Sequence, residues 1–137
     1  MSRSAARKTA LQMIFQMDVG KNEWEMALYT LEERNLEESD ADFALHLAQG
    51  TLEKLAEIDA FIQEECKQWS LERMANVDKS ILRLAVYEMM AFPHTAKNIV
   101  LNEAIEMAKE FSTADSGSFV NGILDKISKN MAGEIRE

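Results

Sequence analysis

Residue types able to do chemistry are few in this chain and scattered along it. His46 and His94 lie far apart, and Cys66, the single cysteine, has no second thiol at metal-ligand spacing. Neither a Gly-rich phosphate loop nor a nucleophile elbow occurs. Carboxylates are so abundant that a pair such as Glu64–Glu65 carries no information. His46, between Leu45 and Leu47 on a predicted helix, reads as a structural residue rather than a base. These features argue against an enzyme and give no catalytic residue, no metal ligand and no cofactor. What remains is charge. Arg3, Arg7 and Lys8 crowd the start of the first predicted helix, where the macrodipole disfavours cations by roughly a few tenths of a kcal/mol each. Two readings stand, an incidental solvated terminus or cations positioned for phosphates. Phe15, at the rim of that helix's core face and in line with Lys8 and Gln12, is either peripheral core or a contact for a partner protein.

The elements that must position these groups read as helices throughout. One proline and five glycines in 137 residues leave little room for sheet turns, and 3.6-period patterns fill nearly the whole length, so the class is all-α. The chain is organised around residues 76–92, where Ile81, Leu82, Leu84, Ala85, Val86, Met89 and Phe92 form an apolar arc too wide for a surface helix. Only a strip with Lys79, Ser80, Arg83 and Tyr87 is predicted to meet water. Asn76 is a predicted cap, Asp78 places a carboxylate in the first turn, and Pro93 ends the helix. Glu88 falls inside the arc, so it is predicted to be buried and bonded to a neighbouring helix.

Before that helix, periodicity predicts helices over Ser4–Val19, Glu23–Arg34 (Trp24, Leu28 and Leu31 inward), Ser39–Ala56 and Ile58–Gln68, then a short bridge Trp69–Met74. Ser39 with Asp42 resembles a capping box. After Pro93, helices are predicted over Asn98–Phe111, with Leu101, Ala104, Ile105 and Ala108 inward, and from Ser112–Asp115 onward, with Val120, Ile123, Leu124 and Ile127 inward. Gly122 within the last pattern costs about 1 kcal/mol against alanine. It implies close packing of a neighbouring helix or a backbone left bare for a ligand, and packing is the favoured expectation.

The net charge of −9 is unevenly spread. Residues 21–65 hold 13 acids against Lys21, Arg34 and Lys54, while residues 1–20 and 66–100 are net positive. A local basic surface is therefore compatible with the acidic total. No apolar run reaches the length of a membrane span, no signal peptide is visible, and the lone cysteine fits a reducing cytoplasm.

Three stretches together resemble the NusB family of transcription antitermination factors. They are Arg7-Lys8-Thr9-Ala10-Leu11-Gln12-Met13-Ile14-Phe15-Gln16; Trp69-Ser70-Leu71-Glu72-Arg73-Met74 running into Val77-Asp78-Lys79-Ser80-Ile81-Leu82-Arg83-Leu84-Ala85-Val86-Tyr87-Glu88; and Leu101-Asn102-Glu103-Ala104-Ile105-Glu106-Met107-Ala108-Lys109 with Asp115-Ser116 and Phe119-Val120-Asn121-Gly122-Ile123-Leu124-Asp125. Each alone is weak, and their order and spacing make them specific. The resemblance implies a compact seven-helix fold of two small helical subdomains sharing a central helix, over a single domain of residues 1–137. It implies a non-enzymatic factor that binds boxA-type RNA of ribosomal RNA leaders together with NusE, a small-subunit ribosomal protein, within an RNA polymerase antitermination complex. Carried over residue by residue, Arg3, Arg7, Lys8 and Arg73 would meet the RNA backbone, and Asp115, Ser116 and Phe119 would border the RNA. Gln12, Phe15 and Asp78 would lie toward the protein partner. Phe119 keeps two readings, core residue or base-stacking ring. Self-association occurs in parts of the family, so a homodimer stays open. Ser4 stands where family members often carry a further arginine, which implies weak RNA binding without the partner. A NusB-like domain also precedes some ribosomal RNA cytosine methyltransferases, but a chain ending at Glu137 without a cofactor-binding βα segment is not expected to transfer a methyl group.

Overall fold

A computed structural model describes residues 2–20, 23–66 and 70–135, with Ala114 and residues 132–135 described by backbone alone. Among the described residues seven helices follow one another: α1 (Arg3–Asp18), α2 (Trp24–Glu33), α3 (Glu38–Glu53), α4 (Leu55–Glu65), α5 (Asn76–Ala91), α6 (Lys97–Phe111) and α7 (Ala114–Ile135). A 3-10 turn, Leu71–Arg73, precedes α5, and no strand occurs among the described residues. Gln68, which closed the predicted fourth helix, and Trp69, which opened the predicted bridge, lie outside the described residues. The chain divides into two compact helical units, Met1–Lys54 and Leu55–Glu137.

In the first unit α1 packs on α3 and α2. Ala6, Ala10, Met13 and Ile14 are buried and share the core with Ala27, Ala44, Leu47 and Ala48, while Met17 is half-buried. The Ser2 hydroxyl caps α1 by accepting from the Ala5 amide at 3.0 Å. The inward face of α2 differs from expectation: Leu28 is exposed, Trp24 and Leu31 are half-buried, and only Ala27 is fully covered. The contact face is rotated toward Ala27 and Thr30, whose hydroxyl bonds the Gln16 amide at 2.9 Å. The predicted capping box at Ser39 is also corrected. Glu37 is the cap residue, without a side-chain bond, and Asp40 turns inward instead.

In the second unit α5 packs on α4, α6 and α7, α6 packs on α7, and α4 on α7. Ile81, Leu82, Leu84, Ala85 and Val86 of the predicted arc are buried, and Glu88 with them, whereas Met89 and Phe92 at its C-terminal end are half-buried. The strip expected to meet water is largely covered: Ser80 and Tyr87 are buried, and Arg83 is half-buried. For Arg83 the physical reason is α4, whose Asp59 accepts two 2.8 Å bonds from its guanidinium. Asn76 is the first helical residue rather than the cap, a place taken by Ala75 without a side-chain bond.

On α6 the buried set is Val100, Ala104, Met107 and Ala108, with Leu101 and Ile105 half-buried. On α7, Val120, Ile123, Leu124 and Ile127 are buried as predicted. The packing expectation for Gly122 is overturned. It is exposed, and a Cβ there would meet nothing within 4 Å. The close approach falls at Gly117 instead, where a Cβ would sit 3.4 Å from Cγ2 of Ile105 on α6.

Candidate nucleic-acid interface

The basic opening of α1 is anchored within the first unit by three groups of α3. Asp40 accepts from the Ser2 backbone amide at 2.8 Å and lies 3.5 Å from the Arg3 guanidinium, which also donates to the Ser39 carbonyl at 3.0 Å. Phe43, one turn further along α3, receives the Arg3 guanidinium 4.3 Å above its ring and that of Arg7 at 5.4 Å. The helix dipole disfavours cations at this end of α1, and the carboxylate and the ring face offset that penalty. Arg7 is only 5% exposed, so it does not stand at the surface as a free phosphate ligand. Arg3 is exposed and Lys8 half-buried. Of the three expected cations, Arg7 is enclosed, Arg3 both holds the terminus and keeps open surface, and Lys8 keeps part of its surface open.

Gln12 and Phe15, expected toward a protein partner, are both half-buried on α1. The first unit also exposes Tyr29, Met26 and Val19, residues that the hydrophobic pattern did not single out.

In the second unit Arg73 is exposed on the 3-10 turn. At the start of α7 the Thr113 hydroxyl accepts from the Ser116 amide at 3.2 Å, which makes Thr113 the side-chain cap. Asp115 is exposed in the first turn, and Phe119 is half-buried, leaving part of its ring accessible. Ser116 and Asp78 depart from expectation together. Each is 7% exposed, and the Ser116 hydroxyl donates to Asp78 Oδ2 at 3.0 Å. A residue expected to border RNA and one expected to face a protein are bonded to each other inside the unit. Only the structure could pair them, because 38 residues separate them and neither has an unusual neighbour in sequence.

This set of groups suits binding rather than bond-making. Exposed guanidinium and ammonium groups attract phosphates, and an accessible ring can stack on an unpaired base. Among the described residues no cluster of His, Cys, Asp or Glu could hold a metal ion, and no helix is long and apolar enough to cross a membrane. Burial, then the neighbouring Glu65 carboxylate, push the Cys66 thiol upward, against a smaller downward pull from Lys126.

The chain is similar to known proteins over nearly its whole length. The model of the NusB family matches residues 4–129. Transcription antitermination protein NusB of Desulforamulus reducens is 48% identical over 131 residues, covering 95% of this chain and 92% of the relative. Its counterpart in Syntrophomonas wolfei subsp. wolfei is 43% identical, covering 93% of this chain and 96% of the relative. Among solved structures, T. maritima NusB aligns with a TM-score of 0.87 at 33% identity, over 94% of this chain and 92% of that one. A crystal structure of antitermination factors NusB and NusE in complex with dsRNA aligns with a TM-score of 0.85 at 26% identity, over 93% and 96%. Helix order, motif spacing and end-to-end similarity agree, and the chain belongs to the NusB family.

Proposed function

We propose that this chain is a cytoplasmic, non-enzymatic transcription antitermination factor. It binds boxA-type RNA of ribosomal RNA leaders together with NusE, as part of a complex with RNA polymerase. The observation that carries this reading is family membership over nearly the whole chain, with relatives named for antitermination. The structural neighbour in which NusB and NusE are held with dsRNA supports the choice of partners. Residues 1–137 act as one functional domain in this reading, although they fold as two compact units.

Among the candidate contacts, Arg3 and Lys8 in the first unit and Arg73 in the second attract RNA phosphates, with Arg7 holding the α1 terminus in place. Asp115 and Phe119 border the RNA. Phe15 and Gln12 serve the protein partner, to which an acidic body is electrostatically suited because ribosomal proteins are basic. So few exposed cations on a chain of net charge −9 give modest affinity for RNA alone. The test is a titration with boxA RNA at one salt concentration, with and without NusE. Tighter binding in the presence of NusE is the expected result, and equal affinities would contradict it. Sedimentation of the chain without partners decides whether it also forms a homodimer.

A further inference from the structure

We propose that Asp78 is a positioning residue for RNA binding: its buried carboxylate, acting through the Ser116 hydroxyl, fixes the first turn of α7 and so the presentation of Asp115 and Phe119. This inference rests on the RNA-binding reading above. It gives Asp78 a different role from the partner contact that the family resemblance implied.

The argument starts from the number of protons available. An ionised carboxylate only accepts, and a serine hydroxyl has one proton to give and two lone pairs. The Ser116 proton goes to Asp78 Oδ2 at 3.0 Å. Two further hydroxyls lie within reach of Ser116 Oγ, Ser112 at 2.9 Å and Thr113 at 3.1 Å. With the Ser116 proton already donated, both of these must donate to Ser116. One carboxylate on α5 therefore sets the direction of a chain of three hydroxyls across the α6–α7 junction.

That chain includes the cap of α7. Thr113 Oγ1 accepts from the Ser116 amide at 3.2 Å while its own proton points back to Ser116 Oγ. Asp115 and Phe119 flank Ser116 on the same helix, and their directions follow from where the first turn is held. A hydrogen bond to an ionised group is roughly twice as strong as a neutral one, so the charge on Asp78 matters as well as its shape. The other carboxylate oxygen, Asp78 Oδ1, is buried without a hydrogen-bond partner among the described residues. A buried polar atom left so is costly, and a purely structural role would be met at lower cost by a neutral side chain.

Affinity for a boxA RNA oligonucleotide with NusE present is to be measured for the parent, Asp78→Ala, Ser116→Ala, the double variant and Asp78→Asn. NusE binding without RNA, thermal midpoint and hydrogen exchange at residues 115–119 accompany each titration. Asp78→Ala and Ser116→Ala are each expected to weaken RNA binding by roughly five- to tenfold, and the double variant no more than the worse single, as for coupled neighbours. Asp78→Asn, which keeps an acceptor for the Ser116 hydroxyl but not the charge, should recover only part of the loss. NusE binding should hold, and exchange at 115–119 should quicken in the alanine variants. RNA affinity unchanged in the single variants, or losses that add in the double, overturns the proposal. So does loss of NusE binding with RNA affinity intact, which restores the partner-facing role. If Asp78→Ala does not fold, Ser116→Ala and Asp78→Asn still decide. A parent that fails to bind RNA beside NusE removes the RNA-binding reading itself, whereas unchanged exchange at 115–119 refutes the positioning of the turn independently of RNA.

Discussion

The guanidinium of Arg3 sits 4.3 Å above the centre of the Phe43 ring, and Arg7 approaches the same ring at 5.4 Å. One aromatic ring thus meets two like charges at the helix end that least favours them. Replacing Phe43 by leucine keeps apolar bulk and removes the ring quadrupole. Phe43→Leu should therefore lower stability by about 1 kcal/mol, measured by denaturant unfolding. It should also hasten hydrogen exchange over the first turn of α1. A variant as stable as the parent, with that turn equally protected, would show that the ring contributes only bulk.

The Arg83–Asp59 fork ties α5 to α4 with two 2.8 Å bonds. Both groups are partly shielded from water, so removing one leaves the other's charge poorly compensated. Asp59→Leu should cost about 2 kcal/mol in unfolding free energy, and the Asp59→Leu, Arg83→Met double variant should be less destabilised than that single. A double variant whose cost equals the sum of the Asp59→Leu and Arg83→Met costs would mean that the pair has no coupling of its own.

Which parts of this molecule could be read from sequence follows from what each signal measures. The wide apolar arc of residues 76–92 gave the buried helix α5, because a face that broad has nowhere to go but inside. Its polar strip was misjudged for a reason outside the pattern. Periodicity shows which side is apolar, whereas Ser80 and Tyr87 are buried and Arg83 is drawn to Asp59 of α4 by a bond that no local rule predicts. The same limit explains Asp40 and Asp78. Each is a carboxylate near a helix start, and each turns inward to a residue more than thirty positions away. For Gly122 the composition argument named two causes of a mid-helix glycine, and only the position of α6 could choose between them. Packing fell to Gly117.

Cys66 gives an alkaline prediction. Its thiol is held above the ordinary value of 9.0, first by burial. As pH passes that value the unfolded chain loses the proton while the folded chain keeps it, so unfolding is favoured. Stability should then fall with rising pH across the window above about pH 9, and fall less steeply in Cys66→Ala. Denaturant melts at several alkaline pH values test this. At neutral pH the thiol should react slowly with an alkylating reagent until the protein unfolds. Rapid alkylation of the native protein would contradict the burial.

Gly122 offers a stability gain with a functional readout. A Cβ there would enter open space, so Gly122→Ala should raise stability by about 1 kcal/mol through helix propensity alone. If the bare backbone serves a ligand, the same variant weakens RNA or NusE binding while it stabilises the fold. A stabilised variant with unchanged affinity for both partners would show that the glycine serves neither.

Asp115 separates charge from capping in a way the sequence did not allow. It stands exposed in the first turn of α7, yet the side-chain cap on the Ser116 amide is Thr113. Asp115 therefore contributes only its favourable place near the helix N-terminus, typically 0.3–1 kcal/mol and less when exposed to salt, by rough estimate. Asp115→Asn and Asp115→Ala should both lie within about 1 kcal/mol of the parent, whereas Thr113→Ala should cost about 0.5–2 kcal/mol. At the RNA border the same carboxylate repels phosphates. Asp115→Asn should then bind boxA RNA more tightly than the parent at low salt, and the gain should shrink as ionic strength rises, because screening already weakens an exposed repulsion. Titrations of both Asp115 variants at two salt concentrations give the answer. Unchanged or weaker affinity for Asp115→Asn at low salt would falsify the placement of this residue beside the RNA, and a gain that persists at high salt would assign the effect to something other than charge.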